Sequence, residues 1–112
     1  MLKERYRLRK TKDIEAVVKR GRGASTGKIA VKLAKNGLKS SRFAFVAGIK
    51  VSKLAVKRNR LRRLMREAVR NHLKDIKPGY DVMIVAKKPL LGAALSEVES
   101  EIVRVFKTVK LL

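Results

Sequence analysis

The chain has 112 residues, with 30 lysines and arginines against 9 aspartates and glutamates, a formal charge of +21 and no cysteine. That composition excludes disulfides and thiolate metal sites, and 46% hydrophobic residues is too many for a disordered basic tail. One compact domain over residues 1–112 is expected, with a modest core, and self-repulsion on this scale calls for a polyanionic partner, above all a nucleic-acid backbone.

Residues 1–10 form a basic arm, in which Lys3, Arg5, Arg7, Arg9 and Lys10 surround Tyr6 and Leu8. It reads either as a solvated tail or as part of a binding surface. A short helix follows, capped by Thr11 and running to Arg20, with Ile14, Val17 and Val18 on one face and Gly21 as its stop. Residues 21–27 read as a flexible loop, with neither a Walker-type Lys-Ser/Thr ending nor a G-x-x-G clamp. From Lys28 to Lys35 the chain alternates. Ile29, Val31 and Leu33 point one way and Ala30, Lys32 and Ala34 the other, which predicts a strand with one buried and one open, partly basic face. Asn36-Gly37 ends it and suggests an antiparallel connection to a second strand, Arg42 to Val51, that has room to bend or split into a third. A long helix from Ala55 to about Asp75 stops before Pro78-Gly79, and Tyr80–Ala86 follows as an apolar, central strand. Ser96 and Glu99 make a capping box for a last helix with the stripe Val98, Ile102, Val105, Phe106 and Val109. The order α-β-β-(β)-α-β-α is that of an α/β fold (an α+β sandwich), a single central mixed sheet with helices packed on it.

The long helix is the most informative element. Leu61, Leu64, Met65, Ala68 and Val69 share one face, while Arg58, Arg62, Arg66 and Arg70 step along the other side at i, i+4 spacing, with Asn59 and Arg63 beside them. Such a face repels itself unless an anion lies on it. Arginine's planar fork suits phosphate and stacks on bases, and the Asn59 amide suits a base edge or a ribose hydroxyl, unless it only caps or bends the first turn. The charge is also unevenly spread: three acids balance three bases in residues 95–112, so the whole +21 falls on the first 94 residues. The last helix is expected to be scaffold.

Protein-based catalysis finds few groups here, and no catalytic or metal-ligating residue is assigned. The single histidine, His72, falls on the apolar side of the long helix and reads as structural. Glu97, Glu99 and Glu101 point different ways at two-residue spacing and read as a solvated face. No nucleophile–base–orienter set is present. No run is long and apolar enough to span a membrane, and the start lacks a signal peptide's apolar stretch, so a cytoplasmic protein with no membrane partner is expected.

Val51-Ser52-Lys53, then Ala55-Val56-Lys57-Arg58-Asn59-Arg60-Leu61-Arg62-Arg63, then Arg66-Glu67 resemble the signature of the bacterial ribonuclease P protein component. The basic arm before Lys12-Asp13-Ile14 and the strand Tyr80–Ala86 extend the likeness to nearly the whole chain. The resemblance implies a left-handed β-α-β crossover through the signature helix. It also implies a protein subunit of an endoribonuclease whose catalytic RNA holds the Mg²⁺ ions, does the chemistry and removes the 5′ leader of precursor tRNA, with no obligate protein partner. Carried onto this sequence, it gives Lys53, Lys57, Arg58, Asn59, Arg60, Arg62, Arg63, Arg66 and Arg70 as the seat for the catalytic RNA, and Arg9, Lys12, Ile14, Val18 and Lys32 as the cleft for the leader. Three features depart from the family pattern. Only Leu54 stands in a link that is usually longer; Arg62 replaces a lysine; and Ile14, Val18 and Lys32 stand where leader-facing aromatics are common. Whether Phe43 or Phe45 compensates depends on which sheet face is open. A small ribosomal or other structural RNA-binding protein is the alternative of a different class, and a sequence-tolerant DNA-binding protein a third.

Overall fold

The structure, a computed structural model, describes residues 2–112. After a 3-10 turn at Glu4–Tyr6 come α1 (Thr11–Arg20), β1 (Arg22–Ser25), β2 (Ile29–Lys35), β3 (Arg42–Val46), α2 (Ala55–Asn71), β4 (Tyr80–Ala86), a second 3-10 turn at Lys88–Leu90, and α3 (Leu95–Thr108). The four strands form one mixed sheet in the order β1-β2-β4-β3. β1 and β2 pair antiparallel, as do β2 and β4, whereas β3 pairs parallel with β4 through the α2 crossover. The nearly unbroken apolar run of β4 thus takes the central position that its composition predicts.

Alternation along the strands divides the sheet into two unlike faces. Ile29, Val31 and Leu33 of β2, Phe43 of β3, and Val82, Ile84 and Ala86 of β4 are buried against α2 and α3. Leu61, Met65, Ala68 and Val69 answer from α2, and Val98, Ile102, Val105 and Phe106 from α3. The Phe43 and Phe106 rings stack with centroids 6.4 Å apart, close enough to add to their area burial. The opposite face carries Ala30, Lys32, Ala44, Val46, Met83 and Val85 and is covered only in part, by α1, whose Val17 is buried.

Several expectations need correction. Residues 21–27 are not all loop: Arg22–Ser25 form β1, an edge strand. Arg-Gly-Ala-Ser has no apolar alternation, so the strand is held by backbone pairing alone. Gly23 is required there, because a Cβ would collide with the Val31 carbonyl oxygen. The Thr26 hydroxyl accepts from the Lys28 and Ile29 amides at 3.1 and 3.2 Å and turns the chain into β2. The second predicted strand stops at Val46, and residues 47–54 lead into α2. β2 and β3 do not form a hairpin; β4 lies between them. The Asn36-Gly37 segment carries the chain past the start of β4 instead, with Gly37 at φ 70° and the Asn36 amide donating to Ser40 O and Asp81 Oδ1. α2 ends at Asn71 rather than near Asp75. Lys10, not Thr11, occupies the N-cap of α1, and α3 begins at Leu95 with Ala94 as its cap, so Ser96 and Glu99 form no capping box. Glu99 instead accepts from Asn71 at 2.7 Å and lies 3.4 Å from His72 Nε2, tying α3 to α2. Glu101, read as solvated, is buried.

One polar knot crosses the layers. Arg42 makes a two-pronged contact with Asp81, Nε to Oδ1 at 2.8 Å and Nη2 to Oδ2 at 2.7 Å, and also faces Asp13 of α1 at 3.4 Å. The Asp81 hydrogen bond is the main cause of a raised Arg42 pKa. Asp81 is almost wholly buried, so its removal would strip Arg42 and Asn36 of their shared acceptor. Asp81→Ala is expected to lower stability by about 2–3 kcal/mol, read as a lower urea midpoint with an unchanged m-value.

Candidate RNA interface

Residues 47–54 approach α2 without secondary structure of their own beyond tight turns, and the helix begins with no side-chain cap and no acid in its first turn. What organises this approach is arginine. Arg58 Nη1 donates to the carbonyls of Ser52 at 2.9 Å and Lys53 at 3.0 Å. Arg62 Nη1 donates to Ala47 O at 3.0 Å, and its Nη2 donates to Asn59 Oδ1. Arg66 lies over the Phe45 ring, 5.8 Å from the centroid, a cation–π contact. The i, i+4 row is therefore not the outermost face of α2. It drifts along the flank that looks toward β3, and Arg58, Arg62 and Arg66 are only half-exposed. Burial, followed by the neighbouring charges of Arg7 and Arg62, pushes the Arg66 pKa below its ordinary value. Mutual repulsion of this kind marks a place where an anion would be stabilised.

The remaining predicted contacts are open to solvent. Lys53, Lys57, Asn59, Arg60, Arg63 and Arg70 are exposed, and Arg70 is met only by a long, exposed Glu67 contact at 3.3 Å. Leu54 and Val56 stand exposed among them, Val56 at 79%. This end of the molecule thus offers freely orientable cations and bare aliphatic side chains on one rigid helix.

On the open sheet face, Lys32 donates from Nζ to Val18 O at 3.1 Å, at the carboxyl end of α1. Ile14 lines a cavity of about 430 Å³ together with Arg7, Leu8, Arg9, Ala44, Val46 and Arg66. Val18 and Lys32 are brought together, and Arg9 shares the cavity with Ile14, its guanidinium paired with Glu4 at 2.6 Å. Lys12 is exposed on the first turn of α1, outside that cavity. Phe43 and Phe45 have the helix-side parity of β3, yet both also line this cavity beside Ile14 and Arg66, where it wraps the β3 edge. Arg7, Lys87 and Lys88 were not singled out from sequence. Lys87 and Lys88 border a second, largely apolar cavity of about 470 Å³ with Val46, Ile49 and Val85. Only the Lys-Lys-Pro end of β4 hints at it.

The sheet has one helix-covered and one half-open face and a parallel β-α-β unit whose helix carries Arg-Asn-Arg, and comparison with known proteins decides its kinship. The Ribonuclease P family model matches residues 2–110. The chain belongs to the ribonuclease P protein family. It is 37% identical over 112 residues to the ribonuclease P protein component of Exiguobacterium sp. strain AT1b, covering 97% of this chain and 94% of that one. To that of Brevibacillus brevis it is 36% identical over 110 residues, with 96% and 85% covered. The solved ribonuclease P protein of Thermotoga maritima superposes with a TM-score of 0.83 at 27% identity, over 91% of this chain and 96% of that one. The Staphylococcus aureus protein, at 23% identity, shares the fold with a TM-score of 0.86. Membership replaces the ribosomal and DNA-binding alternatives with a ribonuclease-associated role and an RNA partner.

The geometry separates the family's signature arginines by task. Arg58→Ala and Arg62→Ala should each speed amide hydrogen exchange across residues 47–54, whereas Arg63→Ala, which holds no part of that segment, should leave the exchange unchanged.

Proposed function

We propose that α2 and its lead-in dock this subunit on the catalytic RNA of ribonuclease P, and that the open sheet face beside α1 holds the 5′ leader of precursor tRNA while the RNA cleaves it. The observation that carries this reading is the division of basic groups between two surfaces on opposite faces of one sheet. One is the exposed set Lys53, Lys57, Arg60, Arg63 and Arg70; the other is Lys32 with its aliphatic surroundings. Two faces suit two RNA segments held at once.

Arg60 and Arg63 project from a helix buried along Leu61, Met65 and Ala68, so they meet phosphates with little reorganisation. Arg58 and Arg62 contribute by shaping the segment before the helix, and Asn59 by holding Arg62. The chemistry falls to the RNA in this reading. In this reading the Mg²⁺ that activates water belongs to the RNA partner. Among the described residues no helix is long and apolar enough to cross a membrane.

Adding the protein to its cognate catalytic RNA should lower the Mg²⁺ concentration needed for precursor-tRNA cleavage; an unchanged Mg²⁺ requirement would refute the reading. Arg60→Ala with Arg63→Ala should weaken assembly with the RNA by about tenfold or more and flatten its salt dependence, measured by filter binding at several salt concentrations. Lys32→Glu should weaken precursor binding more than mature tRNA binding, and equal losses for the two would remove the leader from this face.

A further inference from the structure

The basic surface of α2 does not stop where the helix does. Its row of arginines reaches Arg70, and the chain then leaves the helix in tight turns that carry Lys74, His72 N donating to Val69 O and Asp75 N to His72 O, both at 3.0 Å. Two cavities flank these turns. One, of about 170 Å³, lies between Arg70 and the arm residues Lys3 and Arg5; the other, of about 250 Å³, reaches the loop before β3. Tyr6 and Leu73 line both, so Tyr6 borders the two at once. The Arg5 guanidinium lies over the Tyr6 ring, 4.9 Å from its centroid, and Arg5 lines the smaller cavity but not the larger. The larger one has an apolar wall of Tyr6, Leu73, Ile76 and Pro78, and two exposed ammoniums, those of Lys39 and Lys74. Among the described residues no carboxylate pairs with either lysine, not even Asp75 beside Lys74 in the chain. Anchoring the arm accounts for the packing of Tyr6 and Leu73 on the core, but it leaves the space beside them unfilled.

A cavity of this size falls below the roughly 300–1,000 Å³ of drug-sized ligand sites and suits one planar group. An aromatic and aliphatic wall with unpaired cations beside it is the chemistry of an unstacked base held by its face, with the flanking phosphates on the cations. A small inorganic anion would find the lysines but gain nothing from the wall. Continuity names the partner. Arg70, in the row assigned to the catalytic RNA, lines the adjoining cavity, whereas the surface assigned to the leader is on the other side of the sheet. We propose that the cavity beside Tyr6 receives one unpaired nucleotide of the catalytic RNA, its base against Tyr6 and Leu73 and its phosphates on Lys39 and Lys74. The arm and the turns after α2 then extend the docking surface beyond the helix. The proposal rests on the assignment of α2 to the catalytic RNA.

The test measures assembly of the intact chain with its catalytic RNA by filter binding over a range of salt concentrations. Lys39→Met with Lys74→Met, both at exposed positions, should reduce the slope of log affinity against log salt by about 1.4, from two single-strand phosphate contacts at about 0.7 each. Tyr6→Leu should weaken assembly by roughly fivefold to a hundredfold, the range expected of one lost stacking contact, and Tyr6→Phe, which keeps the ring, should recover the affinity. Ultraviolet irradiation of the wild-type complex, followed by mass spectrometry of the protein, should leave a nucleotide adduct on Tyr6; adducts elsewhere in the chain with none there would overturn the proposal. So would a lysine double variant that keeps the full salt slope, or a Tyr6→Leu chain that melts like the wild type and assembles as tightly. In those cases the assignment of α2 stands as long as Arg60→Ala with Arg63→Ala still weakens assembly; if that variant and the lysine variant both bind as the wild type does, the assignment and the proposal fall together. Should Tyr6→Leu not fold, the salt slope of the lysine variant decides.

Discussion

The parallel pairing of β3 with β4 governs the rest of this molecule. Parallel neighbours require the chain to travel the length of the sheet between them, and α2 is that return path. Because α2 must bury Leu61, Met65, Ala68 and Val69 to be stable there, it lies on the same face as α3, and its cations are forced to the flank and to the outside. The same pairing places β4 between β2 and β3, so a strand made late in the chain completes a sheet begun by elements far earlier. α1 alone is left for the other face, and one ten-residue helix cannot cover four strands.

Electrostatic strain is distributed in a way that fits this division. Arg42, wedged between α1, β3 and β4, is matched by Asp81 and Asp13 and fixes the scaffold. Arg66 lies over a ring face with no acid paired to it among the described residues, and burial first, then the charges of Arg7 and Arg62, lower its pKa. The scaffold arginine is neutralised within the protein, while the interface arginines keep their mutual repulsion, a cost an RNA backbone would relieve on docking. α3, with three acids against two bases, stays out of that field and serves the core.

Much of this was legible in the residues. Period-two alternation placed Ile29, Val31 and Leu33 inside and Lys32 outside, and the apolar run Val82–Ala86 marked the central strand. The 3.6-residue stripe placed Val98, Ile102, Val105 and Phe106 of α3 inside, though it missed the buried Glu101 among them. Three things were hidden, each for a physical reason. β1 is held by backbone bonds and a close approach at Gly23, which leave no side-chain pattern. The insertion of β4 between β2 and β3 is a long-range choice that the local Asn-Gly signal cannot report. The inward turn of Arg58 and Arg62 depends on carbonyls of a segment without periodicity, so equal spacing along a helix said nothing about which guanidiniums are committed to backbone. Within the candidate site, the residue types were visible from sequence and their division of labour was not.

The basic arm does more than add charge. Leu8 donates its amide to Phe43 O at 2.9 Å, and Arg7 bridges the same residue, so the arm lies along the outer edge of β3. The other edge, β1, is four residues long and begins with an arginine. Open strand edges invite pairing with another chain, and here one edge is occupied and the other is short and charged. Neither edge therefore offers a second copy of the chain a long, unpaired strand. The segment that guards the edge is thus part of the same chain as the sheet it protects.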